Sequence, residues 1–237
     1  AQDGVPEYTL EAELLYAFTQ QGSRSPAYPS IVAGGENACV LHYVQNNALL
    51  RAGDLCLIDA GCEWQGYAAD ITRTFPVNGI FSGIQKTVYE IVLAAQLAAI
   101  AAVQIGNTWN DPHLAALTVL AQGLIDLGVC QGSLDGVIES GAYQPYYMHR
   151  TGHWLGLDVH DVGAYKQEGV WRNLQENMVL TVEPGLYFRA ANDLPIALHG
   201  MGIRIEDDVL VQQNKPFILT HATPKTVAEI EEVMRVA

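Results

Sequence analysis

Basic residues are scarce in this chain: 12 lysines and arginines stand against 26 aspartates and glutamates, a net charge of −14 over 237 residues. With no basic stripe to neutralise phosphates, nucleic acid and anionic membrane are excluded as main partners. Cysteine is sparse as well. Cys39, Cys56, Cys62 and Cys130 form no CxxC pair and no disulfide-rich density. Cys56 and Cys62 could pair only across a hairpin, so reduced thiols in an intracellular, cytoplasmic protein are expected. The opening AQDGVPEYTL has no charged-then-apolar leader pattern. Long apolar runs are limited to IVLAAQLAAIAAVQIG (91–106), which Gln96 and Gln104 interrupt. That run reads as a buried helix and not as a membrane span. There is no repeat, low-complexity tract or Pro/Ser-rich linker, and a hydrophobic content of 49% is enough for a sizeable core. One domain over 1–237 is expected.

Helical text stands in four places. Thr9 is expected to cap a helix through about Gln20, and Ser82 with Gln85 forms a capping box for one running to about Val103. Asp111-Pro112 opens a third, ending near Leu127-Gly128, and Thr223-Pro224 starts the last, through about Arg235. Strand-like stretches occupy 29–33, 38–43, 54–61, 67–77, 152–160, 178–188 and 202–211. Runs of strands separated by paired helices predict an α+β fold, with helices on one side of an antiparallel sheet.

The stretch LCLIDAGCEWQGYAADITRTFPV (55–77) reads as a hairpin. Leu57, Ile58 and Ala60 supply one apolar arm; Ile71, Thr72, Thr74 and Phe75 supply the other. A turn centred on Trp64-Gln65 would place Asp59 directly opposite Asp70, with β-carbons roughly 4.5–5.5 Å apart. Opposed like charges at ~5 Å cost on the order of 1–3 kcal/mol. The two aspartates are therefore either solvated or share a cation, and the hairpin alone leaves both readings open.

Five further passages carry polar residues inside apolar, glycine-punctuated text. They hold Tyr28 (PAYPSIV), His42 (VLHYV), His153 and His160 (TGHWLGLDVHD), Glu183 (LTVEPGLYF), and Arg204 with Glu206 (GIRIEDDVLV). Singly, each has a bland account as a satisfied core histidine, a strand end or an acidic bend. Counted together, Asp59, Asp70, Glu183, Glu206 and His153 are each flanked by branched, small or aromatic residues. Burying four carboxylates unpaired would cost several kcal/mol apiece, and Arg204 alone cannot neutralise them. An oxygen-rich set with one imidazole suits manganese, or zinc, cobalt or iron(II), and four negative charges match two divalent cations. Such a pair, ~3.5–4 Å apart, is a hydrolytic arrangement.

LHY, IDAGCEWQGYAADITRTFPV, HWLGLDVHD, LTVEPGLY and GIRIEDDVLV, in this order, resemble the catalytic domain of bacterial Xaa-Pro aminopeptidases (aminopeptidase P) over essentially all of residues 9–236. These are pita-bread metallopeptidases, alongside prolidase and methionine aminopeptidase. The resemblance implies a curved antiparallel sheet covered by helices in pseudo-two-fold halves. It implies two divalent metals, manganese first, with Asp59 chelating one and Asp70 and Glu206 bridging both. His153 and Glu183 would complete the second. A hydroxide bridging the metals would attack the scissile carbonyl, with Glu183 relaying its proton. His42 and His160 would line the substrate side, and Tyr28 and Arg204 would orient the bridging aspartate.

The substrates so implied are peptides with proline in second position, and a homo-oligomer is allowed. Within the same chemistry stand prolidase, acting on Xaa-Pro dipeptides, and, less well matched by GIRIEDDVLV and TVEPGLY, methionine aminopeptidase. A non-catalytic pita-bread binding module is the reading from another class; such modules typically lose ligands, and all five positions are present here. Relatives carry an N-terminal domain and a first catalytic-domain helix ahead of the matching region, and their segment corresponding to Phe188–Met201 is longer.

Overall fold

The computed structural model of the chain describes residues 1–191 and 193–236, so the 1–237 span and the Phe188–Met201 segment each include positions outside the described residues. Its helices are α1 (Glu7–Gln20), α2 (Gly83–Ala102), α3 (Asp111–Asp126), α4 (Leu134–Ser140) and α5 (Val227–Val236). Its strands are β1 (Ile31–Gly34), β2 (Leu55–Asp59), β3 (Glu63–Trp64), β4 (Tyr67–Ala68), β5 (Thr72–Pro76), β6 (Lys166–Gln167), β7 (Val170–Trp171), β8 (Val179–Val182), β9 (Gly185–Phe188), β10 (Met201–Arg204), β11 (Asp207–Leu210) and β12 (Phe217–Ile218). Pairing is antiparallel throughout these strands: β1-β2-β5 form one sheet, β12-β11-β8 another, and β9 pairs with β10. The expected α+β arrangement is what forms.

Local chemistry explains where the helices begin. Ser82 and Gln85 make the reciprocal cap of α2 that their spacing predicts. Pro112 sits in the first turn of α3. α1 starts at Glu7 and not after Thr9, because the buried Glu7 carboxylate accepts from Gly34 N, Asn37 Nδ2, Tyr43 Oη and Ala48 N at 2.8–3.0 Å. α5 starts at Val227, capped by Thr226 and Glu229, and not at Thr223-Pro224. α4 was not anticipated; Ser133 caps it and Gly141 closes it in the left-handed conformation.

Two expected strands do not form. Residues 35–39 make a 3-10 turn and the chain then loops through His42; residues 152–160 follow β8 only at their start, where Trp154 bridges Leu180, Thr181 N donates to His153 O and Leu155 N donates to Val179 O, and then run as bends. In both, apolar residues anchor a loop against the core, and the second leaves β8 after Leu155. The stretches 178–188 and 202–211 each split into two strands, with Glu183 and Glu206 at the splits.

One buried cluster joins α2 and α3 to the strands: Val88, Val92 and Ala99 from α2, Leu117, Leu120 and Leu124 from α3, and Leu180, Val182, Leu186, Ile203 and Val209 beneath them. Each fully buried leucine, isoleucine or valine contributes about 1.5–3 kcal/mol, which holds the strands that present the site in place. By length and composition α2 could cross a membrane. Its inward face is instead occupied by this core, and the fully buried Gln96 donates from Nε2 to Asp207 Oδ2 at 2.6 Å.

Candidate metal centre

The first two acids come from the 55–77 hairpin, with a register different from the expected one. The turn centres on Gln65-Gly66, both at positive φ (52° and 87°), and Trp64 pairs with Tyr67. These angles make a two-residue I′ turn, which matches the twist of the flanking strands. Asp59 therefore lies opposite Thr72, and Asp70 is its diagonal neighbour, not its direct partner. An offset of two residues keeps both carboxylates on one face, so the correction to the register leaves the convergence intact. Tyr28 Oη bonds to Asp59 Oδ1 at 2.6 Å and also to Asp70 Oδ1.

The direct opposition expected there occurs in the other half of the site. β9 pairs with β10 and β8 with β11 in one common register, and carrying that register through the splits sets Glu206 opposite Glu183. Ile205 N donates to Pro184 O across the gap, and Glu206 N donates to Thr72 O of β5. Thr72 Oγ1 donates to Glu206 Oε2 at 2.6 Å and accepts from Arg204 Nε at 3.2 Å. Strand splits thus point both glutamates toward the hairpin acids.

His153 arrives on the 152–160 loop. The loop lies tightly on β8: a β-carbon at Gly152 would sit 1.9 Å from Thr181 O, so only glycine permits the approach. His153 Nδ1 is 3.0 Å from the Trp154 carbonyl and its Nε2 is 3.3 Å from Asp70 Oδ2 and 3.7 Å from Glu183 Oε1. A proton on Nδ1 satisfies the carbonyl and turns the Nε2 lone pair toward two carboxylates. That geometry is repulsive unless a proton or a metal cation stands between them.

Burial raises the proton affinity of Glu183, Glu206 and Asp59. It pushes Glu183 up to about 7 against the pull of His153 and Arg204. Glu206 is held well above its usual range by burial and by Asp70 and Glu183, and Asp59 is also raised, against the opposing pull of Arg204. For His153, burial alone would lower the value; the bond to Asp70, the charge of Glu183 and the Trp154 carbonyl outweigh it and bring it to about 9. One phenolic proton cannot serve both aspartates either. The donor set therefore calls for positive charge, and it fits divalent metal: Asp70, His153 and Glu206 each offer a ligand atom within 4.8 Å of the others.

All nine residues singled out from the sequence, Tyr28, His42, Asp59, Asp70, His153, His160, Glu183, Arg204 and Glu206, line a single cleft of about 420 Å³. One contact differs from expectation. Arg204 Nη2 donates to Asp59 Oδ2 at 2.6 Å, so it orients Asp59 and not Asp70, the aspartate expected to bridge. His42 and His160 are solvent-exposed on the cleft wall, and the His160 ring stacks edge-on to His153 at 4.4 Å. His149 was missed. Its Nε2 lies 2.8 Å from Tyr187 Oη and its Nδ1 is 3.8 Å from Glu183 Oε2. Burial, then Arg204, lowers its pKa to about 3 and keeps it neutral. The one signal for it was a histidine four residues before His153 in MHRTGH.

The chain is 50% identical over 228 residues to the Xaa-Pro aminopeptidase of Haemophilus influenzae, covering 96% of this chain and 53% of the relative. It is 45% identical over 231 residues to that of Escherichia coli, covering 98% and 52%. It thus spans about half the length of the curated relatives it matches. Among solved structures, the Pseudomonas aeruginosa aminopeptidase PepP superposes with a TM-score of 0.98 at 52% identity, over 99% of this chain and 53% of that one. A zinc-substituted E. coli aminopeptidase P in complex with product does so at 0.96 and 44%, over 99% and 53%. The pita-bread fold implied by the sequence blocks is the fold of this chain. Residues 1–213 match the description "Metallopeptidase family M24", and the chain belongs to that family.

Proposed function

We propose that the chain carries the catalytic centre of a metal-dependent Xaa-Pro aminopeptidase, releasing the N-terminal residue of peptides whose second residue is proline. The observation that carries this reading is the convergence of Asp59, Asp70, Glu183, Glu206 and His153 on one cleft with His42 and His160 on its wall. The names of the relatives, about half of whose length this chain spans, support proline specificity.

Asp59 on one side, Glu183 with His153 on the other, and Asp70 with Glu206 between them would hold two divalent cations; manganese suits this oxygen-rich set best, with zinc, cobalt or iron(II) as alternatives. When bound, such a pair supplies Lewis acidity to a water and to the scissile carbonyl. The protein groups do the rest. Glu183, at the edge of the space a peptide would enter, is placed to take a proton and return it to the leaving proline nitrogen. His160, lowered by burial and by the neighbouring His153 and His42, stays neutral there and keeps one N–H to donate to a developing oxyanion. His42 faces the same space. Arg204 and Tyr28 fix Asp59 in orientation.

The test is a side-by-side assay of Xaa-Pro-Xaa tripeptides, Xaa-Pro dipeptides and Met-Ala-Xaa peptides, paired with elemental analysis. Tripeptide turnover with about two divalent ions per chain is expected. Turnover confined to dipeptides would assign prolidase, and turnover confined to Met-Ala-Xaa peptides would assign methionine aminopeptidase. Fewer than about one ion per chain under metal-replete conditions, without turnover, would assign a binding module and end the peptidase reading.

A further inference from the structure

Two guanidinium groups line the catalytic cleft, and they are committed differently. Arg204 is buried and paired with Asp59. Arg150 is exposed, and none of the ion pairs among the described residues involves it. Its contacts are neutral: Nη2 donates to Asn110 Oδ1 at 2.6 Å, and its Cζ lies 4.9 Å from the Trp171 ring centre. These hold the planar head in place without discharging it. Arg150 also borders a second cavity of about 420 Å³, walled by His113, Tyr143, Gln144, Tyr147, Met148 and His149. His149 and Arg150 are the residues common to both spaces.

We infer that Arg150 is a specificity-determining residue that binds a carboxylate on the leaving portion of the peptide, beyond the scissile bond. This rests on the aminopeptidase reading. In a chain of net charge −14, with four carboxylates on the cleft floor, an unneutralised guanidinium at the cleft wall is the group that an anion would seek. The same charge repels a free α-ammonium, so the amino end of a substrate is directed toward the acids and the carboxyl end toward Arg150. His149 Nδ1 lies 3.8 Å from Glu183 Oε2, Arg150 is the next residue and lines the same cleft, and a carboxylate two residues past the scissile carbonyl lies roughly 7 Å from it in an extended peptide. A tripeptide's C-terminal carboxylate and an acidic side chain at the third position offer the same chemistry.

The metal-loaded protein distinguishes the sources through three peptides of one Xaa-Pro-Xaa series: the free acid, its C-terminal amide, and an amide with aspartate in third position. The measured quantity is the ratio of kcat/KM for each carboxylate peptide over the plain amide. Wild type should favour a carboxylate by about tenfold or more, chiefly through KM, as expected for one charge-assisted pair. R150Q should bring the ratio near one, and R150E should invert it. Preference for the free acid assigns the chain terminus; preference for the aspartyl amide assigns the side chain. A wild-type ratio near one, or a preference that survives in both variants, would overturn the inference. If no Xaa-Pro peptide is turned over, the function fails but this inference is still judged: calorimetric binding of Pro-Leu against Pro-Leu amide should show the same Arg150-dependent preference.

Discussion

Asp70 is the residue on which the site turns. It offers oxygen to Tyr28 and His153, and it belongs to the Asp70, His153, Glu206 set that can close on one ion. Asp70→Asn keeps the shape and replaces an anionic oxygen with an NH2 group, so elemental analysis of the purified variant should find metal and activity lost together. Retention of two ions would contradict a shared ligand. His160 should behave in the opposite way. It lies against His153 through its ring but contributes nothing to the acid cluster. His160→Ala should keep its metal and lose roughly 10²–10⁴-fold in turnover, the scale of a positioned acid–base group; metal loss in that variant would move His160 into the ligand set. Both positions were legible as polar residues inside apolar, glycine-punctuated text, and both line the cleft; their roles come from the family resemblance. The partner of Arg204 was not, because Asp59 and Asp70 share a face and linear text does not say which of two adjacent carboxylates a distant guanidinium meets.

Elements were legible where their own chemistry decides them, as the α2 cap and the Pro112 start of α3 show, and illegible where distant contacts decide. Alternation in 152–160 reads as a strand, yet the backbone follows β8 only over 153–155 before it turns away in bends. The hairpin register was missed because the turn was centred one residue early; Gly66, able to take positive φ at the second central position, marks the right centre. The β5–β11 junction was not legible at all, since its bonds span more than a hundred residues. Arg73, on β5, donates from Nη2 to Asp207 Oδ1 at 2.7 Å and from Nη1 to the Glu206 carbonyl at 2.5 Å, and it also bonds the carbonyls of Thr223 and Pro224. Burial alone would raise Asp207, but Arg73 and Lys225 hold it below its ordinary value. Arg73→Met strips one partner from a fully buried acid and a donor from the backbone of Glu206, a candidate metal ligand. It should cost about 3–5 kcal/mol in denaturant unfolding and weaken metal binding. A loss under about 1 kcal/mol, the size of a surface pair, would show that this network does not brace the site.

The molecule as a whole carries its acidity in two places, a solvated surface and a buried cluster, and only the second makes stability depend on metal. Consider the protein stripped by a chelator. Glu183 is raised from 4.5 to about 7, chiefly by burial, and Asp208, whose Oδ2 accepts from Asp70 N, from 3.8 to about 8, also by burial. His153 is raised from 6.5 to about 9: burial opposes the change, and Asp70 and Glu183 outweigh it. Each group binds its proton more tightly folded than unfolded, so its stabilisation is fully present below the unfolded value and is lost as pH rises through the folded one. All three act in one direction between pH 5 and pH 9. His149 and His113, lowered by burial from 6.5 to about 3 and about 4, have the opposite sign and offset part of this gain below pH 6.5, two groups against three. Asp207 also has the opposite sign, but its contribution is lost only as pH falls through its depressed folded value, below 3.8. The chelated protein should therefore melt lower at about pH 8.5 than at about pH 5.5, by at least about 5 °C where each kcal/mol is worth about 2–4 °C. Metal ligands must shed these protons, so added manganese should restore the melting temperature more at the higher pH. Calorimetry near pH 6.5 in two buffers of different ionisation enthalpy should count at least about one proton released per chain on metal binding. A flat melting profile in the chelated protein, with no proton released on reloading, would mean that the cluster does not hold its charge as described here.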